Sequence, residues 1–327
     1  MGFFYEIGKF VFINKDTTFL FHKLVCFCTL SWIGRRETME SYISSIGFKS
    51  ITKKKQWDNI IDQILKSATK QFVTNHDKDH VFIEYFKEYG QRIGVVLRGF
   101  LDNDKDIELE TCDPYAEAKY MIDVSQVEVE EEEDYYYFAV CEEELTGTEI
   151  VFQLQNIIEY LEVEKDKETF IEGIKIVGLS SKGTIILPVE KTESDIEYEK
   201  EQREWRRQLI KRAKEGDEEA QEILEQEAEE TAEIIEERLQ YEDFLSVVEG
   251  YFIPIEYLDA TYSVLGTILE VETIVNEQSK EKVYWMLVET MEMKIEIVIN
   301  EKELVGTPLV GMRFMGVCWM QGTIVFS

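Results

Sequence analysis

The sequence predicts an α+β protein: a mainly antiparallel sheet domain with helices, then a charged helical arm, then a small C-terminal OB-like β-barrel. Three observations predict it. Strand-like runs rich in β-branched and aromatic residues follow one another through tight turns, with helical patterns set apart from them. The stretch 191–240 has no proline, a single glycine (Gly216), and 18 acidic against nine basic residues. The last part, 241–327, holds about five strand patterns, with glycines where a strand can coil sharply.

Taken in order, MESYISSIGF (39–48) places Tyr42, Ile43 and Ile46 on one helical face, with Gly47 as the stop. In KKQWDNIIDQILKSATK, Trp57, Ile60, Ile61, Ile64, Leu65 and Ala68 recur at helical spacing. HVFIEYFKEYG (80–90), RIGVVLRGFLD (92–102), KDIELETCDPY (105–115) and YYYFAVCEE (135–143) read as strands, the last preceded by an acidic loop from Glu128 to Asp134. The run 148–164 reads as a helix, and 170–191 as a hairpin turning near Ser181, Lys182 and Gly183. In 191–240 two helices meet at Gly216–Asp217, with Tyr198, Trp205, Leu209 and Ala213 as a narrow stripe on the first. Ile223, Leu224, Ala228 and Ile235 make a sparser one on the second. The segment 241–254 starts as a helix and ends at Pro254, and strands fill the rest, with a turn at Asn276–Ser279.

Domains are therefore expected at 39–190, 191–240 and 241–327. Residues 1–38 differ from all of these, with five basic and three acidic residues. The uninterrupted apolar run Leu24–Ile33 is too short to span a bilayer. The expected reading is a mis-assigned start, with Met39 as the true one; a degenerate signal or membrane anchor and a genuine N-terminal extension are the other readings.

Several stretches carry a resemblance when taken together: SYISSIGF, FQLQNIIEYL (152–161), GLSSKGTIILPVEKTE (178–193), AKEGDEEA (213–220), and YSVLGTILEVE with FMGVCWMQG near the end. They resemble an uncharacterised family, a domain of unknown function, from anaerobic Gram-positive bacteria, over about 39–327. The resemblance implies Met39 as the start. It implies no activity, no cofactor and no catalytic residue.

The net charge is −32, with 44% hydrophobic and 12% aromatic residues. Such a chain has material for real cores and repels nucleic acid and anionic membranes. Its five cysteines are odd in number and scattered, which suits a reducing cytoplasm. No phosphate-cradling glycine loop, dinucleotide fingerprint or nucleophile elbow is present, and no cofactor is expected.

His76, Asp79 and His80 are the candidate metal ligands, since imidazole and carboxylate suit a divalent ion. A solvated loop is the plainer reading there, as it is for the acidic runs around 130–134 and 142–144. His22, Cys26 and Cys28 lack a completing pair. The dense basic cluster offers Arg203, Trp205, Arg207 and Lys211 as partner-binding residues. Arg203, Arg207 and Lys214 share one helical face, and Trp205, Leu209 and Arg212 another. The plainer reading is neutralisation by the acidic stretch that begins at Glu215, in an antiparallel helical hairpin pairing basic with acidic arms. Tyr284, Trp285 and Trp319 are the candidate partner-binding aromatics of the barrel, although 241–327 has 14 acidic and five basic residues, which opposes phosphate binding.

The expected function is a cytoplasmic, non-enzymatic adaptor contacting a basic protein partner. The alternative is a divalent-metal-dependent hydrolase or nucleotide-processing enzyme using carboxylates with His76 and His80. The sequence leaves the oligomeric state open.

Overall fold

The computed structural model describes residues 42–75, 81–101, 107–132, 136–163, 169–189, 193–255 and 260–327. The expectations for residues 1–38, including His22, Cys26 and Cys28, and for His76, Asp79 and His80 lie outside the described residues.

The protein is mixed α+β and mainly strand. A four-stranded antiparallel meander comes first: β1 (Lys70–Asn75), β2 (Val81–Gly90), β3 (Ile93–Leu101) and β4 (Ile107–Ala116). Helix α1 (Lys54–Ser67) precedes it and buries Ile60 and Ile64, two of the residues at its predicted spacing. Gln56 closes its start by accepting from the Lys53 amide at 3.0 Å.

The second sheet has β5 (Val124–Glu132), β6 (Tyr136–Glu143), β7 (Glu149–Leu154), β8 (Ile171–Ile186), β9 (Tyr251–Pro254), β10 (Thr261–Val275), β11 (Lys282–Thr290), β12 (Met293–Asn300), β13 (Leu304–Val305) and β14 (Arg313–Phe326). Most of its pairings are antiparallel. β8 is flanked by a parallel β12 and an antiparallel β14. The hydrogen-bonded path from β8 through β12, β11, β10 and β14 therefore returns to β8.

Side-chain alternation along these strands splits the core in two. Ile174, Ile176, Tyr262, Val264, Met286, Val288, Ile295, Ile297, Phe314 and Met320 meet inside the path, joined by Phe152 and Ile157. Val177, Leu179, Trp285, Leu287, Val298 and Trp319 point the other way, onto Ile93, Val95 and Leu97 of the first sheet and onto Tyr42, Ile46 and Phe48. Of the segment predicted as a helix at 39–48, the described part forms a 3₁₀ turn at Ile43–Ile46. Gly47 caps it at φ 94°, where a Cβ would lie 2.8 Å from the Asn276 Cβ. Asn276 and Asn300 hold this turn by donating to the carbonyls of Ile46 and Ser44 at 2.9 and 3.0 Å.

Three further predicted elements differ. The stretch 148–164 is β7 followed by α2 (Ile157–Val163), because Ile150 to Leu154 are buried between β6 and β14. The expected hairpin at 170–191 is the single strand β8. Gly183 sits where the Phe314 ring crosses the strand, so it marks a close approach and not a turn. The acidic run from Glu128 is part of edge strand β5. Val127 and Val129 pack inward, and the exposed Glu128 and Glu130 blunt the edge.

Between β8 and β9 lie α3 (Glu193–Lys214), α4 (Glu218–Arg238) and the short α5 (Phe244–Val247). Gly216 at φ 91° ends α3, and Asp217 caps α4 by accepting from the Ala220 amide at 3.1 Å. No helix among the described residues is long and apolar enough to cross a membrane.

Candidate functional site

The α3–α4 pair is where most of the predicted partner-binding residues fall. Leu209, Ala213 and Ala220 form its core with Ile223 and Leu224, and that cluster contains no residue of either sheet. The basic face of α3 meets carboxylates of the strands. Arg203 pairs with Glu289 and Arg207 with Glu292, each at 3.5 Å, and Lys214 pairs with Glu142 at 2.7 Å. Arg212 instead pairs with Asp217 at 2.7 Å, which holds that carboxyl below its usual range. Among the described pairs, only Arg212 is neutralised by the acidic stretch after Glu215, as expected; Arg203, Arg207 and Lys214 are instead met by carboxylates of the second sheet and its β11–β12 turn. Lys211 is exposed, and Trp205 is 43% exposed.

The polypeptide enters and leaves the pair at one side chain. Buried Arg313, the first residue of β14, donates through Nε to the Leu187 carbonyl at 2.8 Å. Its Nη1 and Nη2 donate to the carbonyls of Val248 and Leu245 at 2.9 and 2.7 Å. One guanidinium thereby ties the chain just before α3 to the chain just after α4.

The three candidate aromatics of 241–327 are placed differently. Trp285 is fully buried, with its Nε1 donating to Glu296 at 2.7 Å. Arg92 and Lys119 lie over its ring at 4.8 and 3.9 Å from the centroid, and Glu272 bridges both cations. Glu296 also accepts from the amides of Lys119 and Tyr120, fastening the crossing between the sheets. Burial raises its pKa, and those hydrogen bonds oppose the rise. Trp319 is buried and stacks on Tyr42 at 5.6 Å. Tyr284 is half-buried and donates to Glu301 at 3.2 Å. The two tryptophans therefore serve the contact between the sheets.

A second charged centre is fully interior. Arg98 donates to Glu84 at 2.6 Å, to Asp113 at 3.1 Å and to the Gln155 carbonyl at 3.2 Å. Thr111 and Tyr136 also bond Asp113. Burial raises both carboxyls despite the guanidinium between them. This joins the first sheet to the start of α2 and has no opening to solvent at Glu84, Arg98 or Asp113. Among the described residues no group of three or more His, Cys, Asp or Glu is placed to hold a metal ion.

Glu289, Glu292 and Arg313 carry no motif in the sequence, and Glu142 stands out there only within the acidic run 142–144, read as a solvated loop. Arg313 carried a faint signal, as the lone basic residue in an apolar stretch at the head of a strand. Tyr198, seven residues before Trp205, extends the stripe on α3 and is 64% exposed.

Residues 43–322 match the family model described as a domain of unknown function from E. rectale, DUF3881. The chain belongs to this family. The match begins at the 3₁₀ turn docked on Asn276 and Asn300 and ends within β14, so it takes in both sheets and the helix pair. No curated protein and no solved structure matches the chain.

Proposed function

We propose that this member of the DUF3881 family is a cytoplasmic binding protein that recognises a basic protein partner through its helix pair. In this reading the closed strand path is a small OB-like barrel, completed by a strand from ahead of the helices. The pair is a charged arm inserted between strands of that barrel. The domain limits at 190 and 240 mark the arm.

One observation carries the proposal. Four cations of α3, Arg203, Arg207, Lys214 and Arg212, are engaged by Glu289, Glu292, Glu142 and Asp217, whereas α4 presents ten glutamates and one basic residue, Arg238. Arg238 is itself paired with Glu242 at 2.8 Å. The arm thus turns a predominantly acidic face outward, which steers cationic partners and repels phosphate backbones. The interior of the barrel, filled by its own side chains, offers no comparable feature.

The test is binding of basic and acidic polypeptides to the full chain across salt concentrations, beside an unrelated acidic protein of similar net charge. Selective binding of the basic polypeptide, weakening with salt but persisting where the screening length is about 8 Å, supports the reading. Equal binding by the unrelated protein overturns it.

A further inference from the structure

We propose that the end of the α3–α4 pair away from its turn is a docking groove for a basic amphipathic helix of the partner. The inference rests on the acidic-arm reading above and names the chemistry of its ligand.

Burial along the pair is graded. Near the turn Ala220, Leu209 and Ala213 are 0, 3 and 5% exposed. Away from it Trp205, Ile234 and Tyr198 are 43, 58 and 64% exposed. Tyr198, Trp205 and Leu209 follow one stripe at spacings of seven and four, so the stripe that α4 seals at Leu209 lies open at Trp205 and Tyr198. Two helices bury one seam between them, and a further apolar strip asks for a third helix.

Charge decides what kind of helix fits. From Glu193 to Trp205 the sequence has six acidic residues to two basic, and from Glu225 to Arg238 seven to one. Arg203 is turned to Glu289, and Arg238 is held by Glu242. The open apolar strip is therefore flanked by stretches in which carboxylates far outnumber cations. A second copy of this arm would bring the same charges against themselves, and nucleic acid would be repelled. A helix with an apolar stripe bordered by Lys or Arg satisfies both the strip and its rim.

The test uses the full chain and a synthetic Leu/Lys amphipathic helix of roughly 20 residues, long enough to hold helical form. Its scrambled isomer and a Leu/Glu counterpart are the controls. Calorimetry is expected to show binding of the Leu/Lys helix at least about tenfold tighter than of either control. Trp205→Ser with Ile234→Ser, which leaves every charge in place, is expected to weaken it by about tenfold with unchanged circular dichroism. Equal binding of the scrambled basic peptide, or an unaffected double variant, overturns the groove while leaving the acidic-surface reading standing. No binding by either basic peptide overturns both. Self-association of the free protein that the double variant abolishes overturns the basic-helix occupant in favour of a second copy.

Discussion

Arg313 Nη1 donates to the Val248 carbonyl at 2.9 Å, so a strand of the large sheet holds the chain where it returns from the helix pair. The same guanidinium holds Leu187 on the outgoing side, which separates the anchoring of the helices from their own packing.

Arg313→Met leaves three carbonyls without their charged donor. The expected loss is about 3 kcal/mol, read by urea denaturation. Arg313→Lys recovers little, because one ammonium cannot span the three acceptors. Full recovery by lysine would show that only the charge matters.

The interior Arg98 cluster predicts a pH trend. Burial raises Glu84 and Asp113, so the folded state keeps protons that the unfolded chain releases. That stability is complete below the ordinary carboxylate values near ~4 and is lost as pH rises through the raised folded values. Glu84→Gln is therefore expected to gain on the wild type as pH rises, in melting curves taken between roughly pH 4 and pH 8. A gain on lowering the pH would contradict the assignment. Arg98→Met, leaving two buried carboxylates without their cation, is expected to cost about 3–5 kcal/mol at neutral pH.

The ion pairs of Arg203 and Arg207 are partly exposed, at 38 and 41% for the arginine side chains. Replacing both with alanine is expected to change global stability by about 1 kcal/mol or less per pair. Amide exchange in α3 and α4 should nonetheless quicken while β10, β11 and β14 keep their protection. Added salt should act in the same direction. Uniform quickening across the sheet would mean that the pair is part of the main cooperative unit.

Two glycines separate crowding from backbone strain. At Gly183 a Cβ would lie 2.4 Å from the Phe314 ring, and alanine there is expected to cost about 1–3 kcal/mol. At Gly216 nothing lies within 4 Å, but φ is 91°, so alanine costs about 1 kcal/mol and the effect stays in the helix pair. Equal, global destabilisation by both would contradict the placement of β8 against β14.

The sequence reveals elements wherever their period is local. The stripe of Ile60 and Ile64, the alternation through β10 to β12, and the break at Gly216–Asp217 were all legible for that reason. Gly183 was not, because the ring that requires it is supplied from Phe314, far along the chain. Ile150 to Leu154 run directly into Ile157 and Ile158, and the combined apolar stretch satisfies a helical period as well as a strand. The valines of β5 were obscured by the glutamates alternating with them. For the candidate site, the common face of Arg203, Arg207 and Lys214 could be read from spacing. Their partners Glu289, Glu292 and Glu142 could not, since only the fold brings them to α3.

The most direct measurement is the affinity of the full chain for a basic polypeptide before and after reducing the negative charge of α4. Glu225, Glu229, Glu233 and Glu236 changed together to glutamine keep the helix and remove four of its ten carboxylate charges. Affinity falling by at least about tenfold, with a shallower salt dependence and an unchanged melting temperature, is the predicted result. Unchanged affinity and salt dependence in that variant would contradict an acidic arm as the contact surface.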